Sequence, residues 1–111
     1  MVILMIEDPQ GVENIESILR VPGLDCIFLG RGDLSLSMGY PGQQDAPEVS
    51  RAVDRVVAAT LAAGISLMVA ATEKEIGAWI KRGARFISIQ AVGYLRSKWT
   101  ETLKQVRAQL V

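Results

Sequence analysis

The 111-residue chain has no histidine, one cysteine and no net charge, its 12 basic residues balancing 12 acidic ones. Without histidine the commonest general base is missing, so catalysis must rest on carboxylates, a metal or residues from elsewhere. The single thiol, Cys26, excludes an intrachain disulfide framework; set in an apolar run, it reads as a buried core thiol in a reducing cytoplasm. Balanced charge provides no field to draw the chain to nucleic acid or an anionic membrane. No apolar run reaches the roughly 18 residues a membrane span needs. The opening Met1–Ile6 stretch lacks the basic flank and cleavage site of a signal peptide. A turn of the type G-x-G-x-x-G after the first strand is also missing, which argues against dinucleotide binding. Small-molecule chemistry in the cytoplasm is the expectation.

Hydrophobic residues, by contrast, make up 50% of the chain, near the upper edge for a soluble domain. They fall into four strand-then-helix units with no linker between them. Val2–Ile6 is continuously apolar, as in a strand covered on both faces. Asp8-Pro9 reads as N-cap and first helical residue, and Val12, Ile15, Ile18 and Leu19 form a helical stripe that stops at Val21-Pro22-Gly23. The second strand, Cys26–Leu29, ends at Gly30, and a polar loop is expected from Arg31 to Ala46. Asp45 and Glu48 resemble a capping box for a helix carrying Val49, Val53, Val56 and Val57 and ending at Gly64. Leu67–Ala70 is the third strand; Thr72-x-x-Glu75 opens a helix with Ile76, Trp79 and Ile80 that stops at Gly83. Phe86–Ile89 is the fourth strand, and a last helix from about Ser97 presents Trp99, Leu103, Val106 and Leu110.

Repeated βα units imply an α/β fold with a parallel sheet and right-handed crossovers, either open or part of a (β/α)8 barrel. A full barrel takes about 250 residues, so residues 1–111 would form a single partial barrel domain, about half of one. Strand-like sequence from residue 1 fits a piece of a longer chain. Four strands alone would leave two open edges and an apolar inner face, which calls for a partner.

Glu7 closes the first strand and Asp33 lies just past the second. The C-terminal strand ends form the functional rim of parallel βα folds, and strands about 4.8 Å apart let two such carboxylates converge on one ion. If Glu7 faces the barrel interior, so do Met5 and Ile3, while Leu4 and Ile6 face the helices. Carboxylates without His or Cys suit a hard cation, Mg2+ or Mn2+. Taken alone, the two acids are more simply helix caps, turn residues or solvated charges, and Asp8 is better explained as a cap.

The stretch Leu29-Gly-Arg-Gly-Asp-Leu-Ser35, running on to Met38-Gly-Tyr-Pro41, resembles the metal-binding loop of the HpcH/HpaI aldolase/citrate lyase family. Glu7 matches that family's other metal ligand, one βα unit earlier, and the likeness extends through Pro47-Glu-Val49, Ala62-Ala-Gly64 and Arg82–Phe86. It covers essentially the whole chain but only the C-terminal half of a family member.

The resemblance implies four βα units of a TIM barrel of the phosphoenolpyruvate/pyruvate superfamily, acting as a class II aldolase on a 2-oxo acid and an aldehyde. Glu7 and Asp33 would bind the divalent metal, and Gly32 would turn its backbone N–H toward the substrate carboxylate, glycine permitting close approach and an unusual backbone angle. The cation would stabilise the charge of a pyruvate enolate. A homo-oligomer or an N-terminal half-barrel would complete the site, since the family's proton-transfer His and substrate-polarising Arg lie in the half absent here. Its last helix commonly packs on a neighbouring subunit, which would give the Trp99 stripe a home. Departures are Met5 where many relatives carry Gln, Arg31 where they often carry Pro, and Gln90-Ala-Val92 in place of a Gly-x-Asp segment.

Rival readings are a non-catalytic half-barrel that self-associates or serves as a partner subunit, and another enzyme of the superfamily, because Arg31-Gly-Asp-Leu34 also resembles a pyruvate kinase loop. Arg31-Gly32-Asp33 as an adhesion tripeptide has no secretion signal behind it. Ser35 and Ser37 lack a His partner and are poor nucleophile candidates.

Overall fold

A computed structural model describes residues 1–110. The short apolar runs form four strands: β1 (Ile3–Ile6), β2 (Cys26–Leu29), β3 (Ser66–Ala70) and β4 (Phe86–Ser88). Between them lie α1 (Pro9–Glu13), α2 (Ile15–Ile18), α3 (Arg31–Ser37), α4 (Pro47–Ala62) and α5 (Ile76–Lys81), and α6 (Ala91–Gln109) follows β4. The strands pair in parallel in the order β1-β2-β3-β4, so each unit adds one strand beside the last. These are the expected four βα units of an α/β fold.

The register sorts the side chains into rows across the sheet. Ile6, Leu29, Val69 and Ile87 form one row. Together with Ile27 and Leu67 they pack beneath Val12 and Ile15 of α1 and α2 and beneath Val49, Val53, Val56 and Val57 of α4. The adjacent row, Met5, Phe28, Met68 and Phe86, projects from the opposite face. The expected alternation in β1 is seen at Ile6, which is buried, and at Ile3 and Met5, which are not; Leu4, assigned to the helix side of this edge strand, also stays exposed.

Several local expectations hold for the reasons given. Asp8 caps α1 by accepting from the Gly11 amide at 2.6 Å. Gly64 and Gly83 follow the C-caps of α4 and α5 with φ of 70° and 97°, the left-handed geometry that ends a helix. Others do not hold. The polar loop from Arg31 to Ala46 begins with a two-turn helix, α3, despite two glycines in or beside it. The Asp45–Glu48 box does not form, because Pro47 at the first helical position makes Ala46 the N-cap. At Thr72–Glu75 only half the box forms: Glu75 Oε2 accepts from the Thr72 amide and hydroxyl, whereas the Glu75 amide donates to the Thr72 carbonyl.

The last helix starts at Ala91 rather than near Ser97, since nothing between them breaks it. None of its residues is buried. A 19-residue helix is about 28 Å long, and its projection gives extents of 60 × 30 × 21 Å. The radius of gyration, 16.7 Å, exceeds the roughly 13 Å of a compact chain this long. Among the described residues no helix is long and apolar enough to cross a membrane.

Candidate metal centre

The strand tips at the C-terminal end of the sheet carry the chemistry-bearing residues. Glu7 is the first residue after β1, and Asp33 is the third of α3, which starts one residue beyond Gly30 at the end of β2. Pairing continues past the strands: the Gly30 amide donates to the Ile6 carbonyl at 2.9 Å, setting the two tips side by side. Ser37 adds a second tie, its hydroxyl donating to the Glu7 carbonyl at 2.8 Å. Asp33 and Ser37 are four residues apart on α3 and share a helix face. The face that reaches back to Glu7 is therefore the one that carries Asp33.

Gly30 makes this proximity possible. A Cβ there would lie 3.1 Å from Glu7 Cβ and 3.3 Å from Met5 Sδ, a tight fit in which β1 would have to give by a few tenths of an ångström. The same contacts place Glu7 and Met5 on one face, the bare side of the sheet. In the sequence Gly30 reads only as a strand terminator; its role in closing the gap emerges from the fold.

Both carboxylates are exposed, and neither engages a lysine or arginine among the described residues. Two unneutralised carboxylates on adjacent tips are a donor set that suits a hard divalent ion keeping most of its waters, as Mg2+ does. No cluster of three or more His, Cys, Asp or Glu side chains exists among the described residues, so softer, fully protein-coordinated sites are not built here. Gly32 lies in the first turn of α3, where amides have no intrahelical acceptor. Its backbone is helical, so the unusual angle expected of it is not there. A Cβ at Gly32 would approach only Gln44 Nε2, at 3.7 Å, an ordinary contact, so packing does not require glycine there.

The other flagged residues settle into structural roles. Cys26 is fully buried, and burial pushes its thiol up, so it is not a reactive group. Ser35 is buried and donates to the Gly32 carbonyl at 2.7 Å, bracing the turn before Asp33. Arg31, expected in a loop, is instead mostly buried and salt-bridged to Glu75 at 2.8 Å. The Thr72 hydroxyl and amide, followed by Arg31, hold the Glu75 carboxyl down at about 2. The large groove of about 610 Å3 lies elsewhere, between α2 and α4, lined by Leu19, Arg20, Arg55 and alanines.

The chain is similar to known proteins over most of its length. The HpcH/HpaI aldolase/citrate lyase family model matches residues 1–95. The chain is 37% identical over 108 residues to a hydroxypyruvate/pyruvate aldolase of Delftia acidovorans, covering 96% of the chain and 40% of that protein. It is likewise 37% identical over 105 residues to a 2-keto-3-deoxy-L-rhamnonate aldolase of Salmonella paratyphi B, covering 91% of the chain and 37% of that protein. Among solved structures, a HpcH/HpaI aldolase/citrate lyase family protein from Burkholderia cenocepacia superposes with a TM-score of 0.89 at 33% identity, over 96% of this chain and 42% of that one. The chain thus spans about 40% of the length of the curated relatives it matches.

Proposed function

The chain belongs to the HpcH/HpaI aldolase/citrate lyase family, and from that premise we propose that it is the metal-binding half of a class II aldolase, making or breaking a carbon–carbon bond beside a 2-oxo acid carbonyl. The observation that carries this reading is the pair Glu7, just past β1, and Asp33, in the first turn of α3, uncompensated by any described cation. Helix α3 is tied to Glu7 through Ser37, and the β2 tip comes close to it at Gly30. Glu7 and Asp33 would hold Mg2+ or Mn2+. Bound there, the divalent cation supplies Lewis-acid stabilisation of the negative charge that develops on the 2-oxo acid in either direction of the reaction.

The chain's own residues contribute orientation. The Gly32 amide, in the first turn of α3 where it has no intrahelical acceptor, would donate to the substrate carboxylate. Met5, next to Glu7 on the same face, offers an apolar wall where a hydrogen-bonding residue would otherwise tune the ligand. With no histidine in the sequence, proton transfer falls to a carboxylate, a bound water or a residue from outside these 111 positions. Pyruvate or a related 2-oxo acid and an aldehyde are the proposed substrates, in keeping with the relatives' names. The domain is proposed as the C-terminal part of a barrel completed by an N-terminal half or by another copy.

A second reading is favoured by one observation, the uncovered apolar row Met5, Phe28, Met68 and Phe86: a non-catalytic half-barrel that serves as a partner subunit. Titration of the chain and its Asp33→Ala variant with millimolar Mn2+ separates the two. An aldolase half should bind the ion and lose it in Asp33→Ala; no binding, or equal binding by both, would leave the scaffold.

A further inference from the structure

Arg31 takes no part in the pair just described, yet it ties together three segments of the rim. It is the first residue of α3, two before Asp33. Its side chain is only 12% exposed. Nη2 donates to Glu75 Oε1 at 2.8 Å and to the carbonyl of Ala70, the last residue of β3, at 3.3 Å. Its Cζ lies 4.9 Å from the centroid of the buried Trp79 ring, a cation–π contact on α5. Glu75 is itself fixed, because its other oxygen accepts the Thr72 amide and hydroxyl. The guanidinium Nε is buried without a partner among the described residues, so the remaining contacts alone hold the group in place.

These contacts anchor α3, a seven-residue helix that cannot supply its own hold. Its N-cap, Gly30, offers no side-chain hydrogen bond, and so short a helix is not stable in isolation. Its two ends are held from outside, by Arg31 to the β3 tip and α5, and by Ser37 to the Glu7 carbonyl. Asp33 sits between these anchors. Rotation of α3 about its axis would swing the Asp33 carboxylate away from Glu7, and the Arg31 contacts to Glu75, Ala70 and Trp79 oppose that rotation.

We infer that Arg31 is a positioning residue, a latch that with Glu75 and Trp79 sets the first turn of α3 so that Asp33 and Gly32 face Glu7. This rests on the reading of Glu7 and Asp33 as the metal pair. Both hydrogen bonds come from Nη2 alone, so what a lysine would lose is the planar surface against Trp79: its ammonium could meet Glu75 or Ala70 but offers no flat face to the ring.

The test uses Mn2+ binding to the full 111-residue chain, read by electron paramagnetic resonance and by water-proton relaxation per bound ion. Arg31→Lys and Glu75→Gln are each expected to weaken Mn2+ by about tenfold, the usual effect of losing a group that orients a ligand. The double variant should be little weaker than either single one. Relaxation per bound ion should rise as Asp33 leaves the ion and water replaces it. Val56→Ala, a core change in α4 remote from the rim, controls for lost stability and should leave the affinity unchanged. If Arg31→Lys binds like the parent while Asp33→Ala does not bind, the latch is wrong and the metal pair stands. Should Val56→Ala weaken binding as much as Arg31→Lys, the effect is one of stability and the positioning role is overturned. Equal binding by the parent and Asp33→Ala removes the metal pair, and the latch with it.

Discussion

On the helix side of the sheet Ile27, Leu29, Leu67 and Val69 are wholly buried, whereas on the other side Met5 and Phe86 are each 44% exposed. The two sets differ in the parity of their positions and also in strand, the first lying in the central β2 and β3 and the second in the edge β1 and β4. Within β2 itself, Leu29 is buried and its neighbour Phe28 only half-buried. Apolar runs without polar alternation encode a sheet covered twice. Helices α1, α2 and α4 supply one cover, while the opposite face keeps Met5 and Phe86 exposed. The rim lies where these two environments meet, with Glu7 on the bare side and α3 wedged between the tips of β1 and β3.

The sharpest way to probe that contrast is a pair of truncations. Leu67→Ala, on the covered face, should cost about 2–5 kcal/mol in urea unfolding. Met5→Ala, on the bare face, should stay within about 0.5 kcal/mol in dilute solution. A Met5→Ala cost that approaches the first value would mean that the bare face is covered in solution, and the contrast would disappear.

Next in size is Gly83→Ala. Its φ is 97°, and a Cβ added there would stand 3.0 Å from the Leu61 methyl carbons. Strain and clash together should remove about 1–3 kcal/mol of stability. A neutral result would show that the α4–α5 junction relaxes freely.

A smaller effect comes from Glu75. Its carboxyl is lowered from 4.5 to about 2 in the fold, chiefly by Thr72 and then by Arg31. A depressed carboxyl stabilises above its unfolded value, and the contribution fades as pH falls from about 4.5 toward 2. Because Glu75 is 37% exposed, solvent screening limits the pair to about 1 kcal/mol or less. Glu75→Gln should therefore lower stability at pH 7 slightly and flatten its decline between pH 4.5 and 2, as followed by urea midpoints. A parallel decline in both proteins would assign the acid sensitivity elsewhere.

Smallest of all should be Trp99→Ser in α6. That ring is 68% exposed and touches no core, so stability by urea unfolding should change by no more than about 0.5 kcal/mol. A larger shift, growing with protein concentration, would show the stripe already engaged between copies.

The strands and the covered core were legible in the sequence because Val2–Ile6, Cys26–Leu29 and Leu67–Ala70 are short, unbroken apolar runs bounded by turn residues. The family resemblance was legible for a related reason: the Gly-Asp-Leu-Ser wording is local. Helix α3 was not. Its glycines and serines disfavour a helix, and what holds it comes from Glu75, 44 residues away from Arg31, and from Glu7, 30 residues before Ser37. Gly30 escaped for the same reason, since its neighbours Met5 and Glu7 become neighbours only once β1 and β2 pair. The early start of α6 was missed because Gln90 carries no capping signal.

The most direct test is a crystal of the chain grown with Mn2+ and measured at a wavelength where manganese scatters anomalously. One peak is expected on the rim, about 2.1 Å from a carboxylate oxygen of both Glu7 and Asp33. A peak touching only one of them, or none there at saturating Mn2+, would contradict the shared metal site.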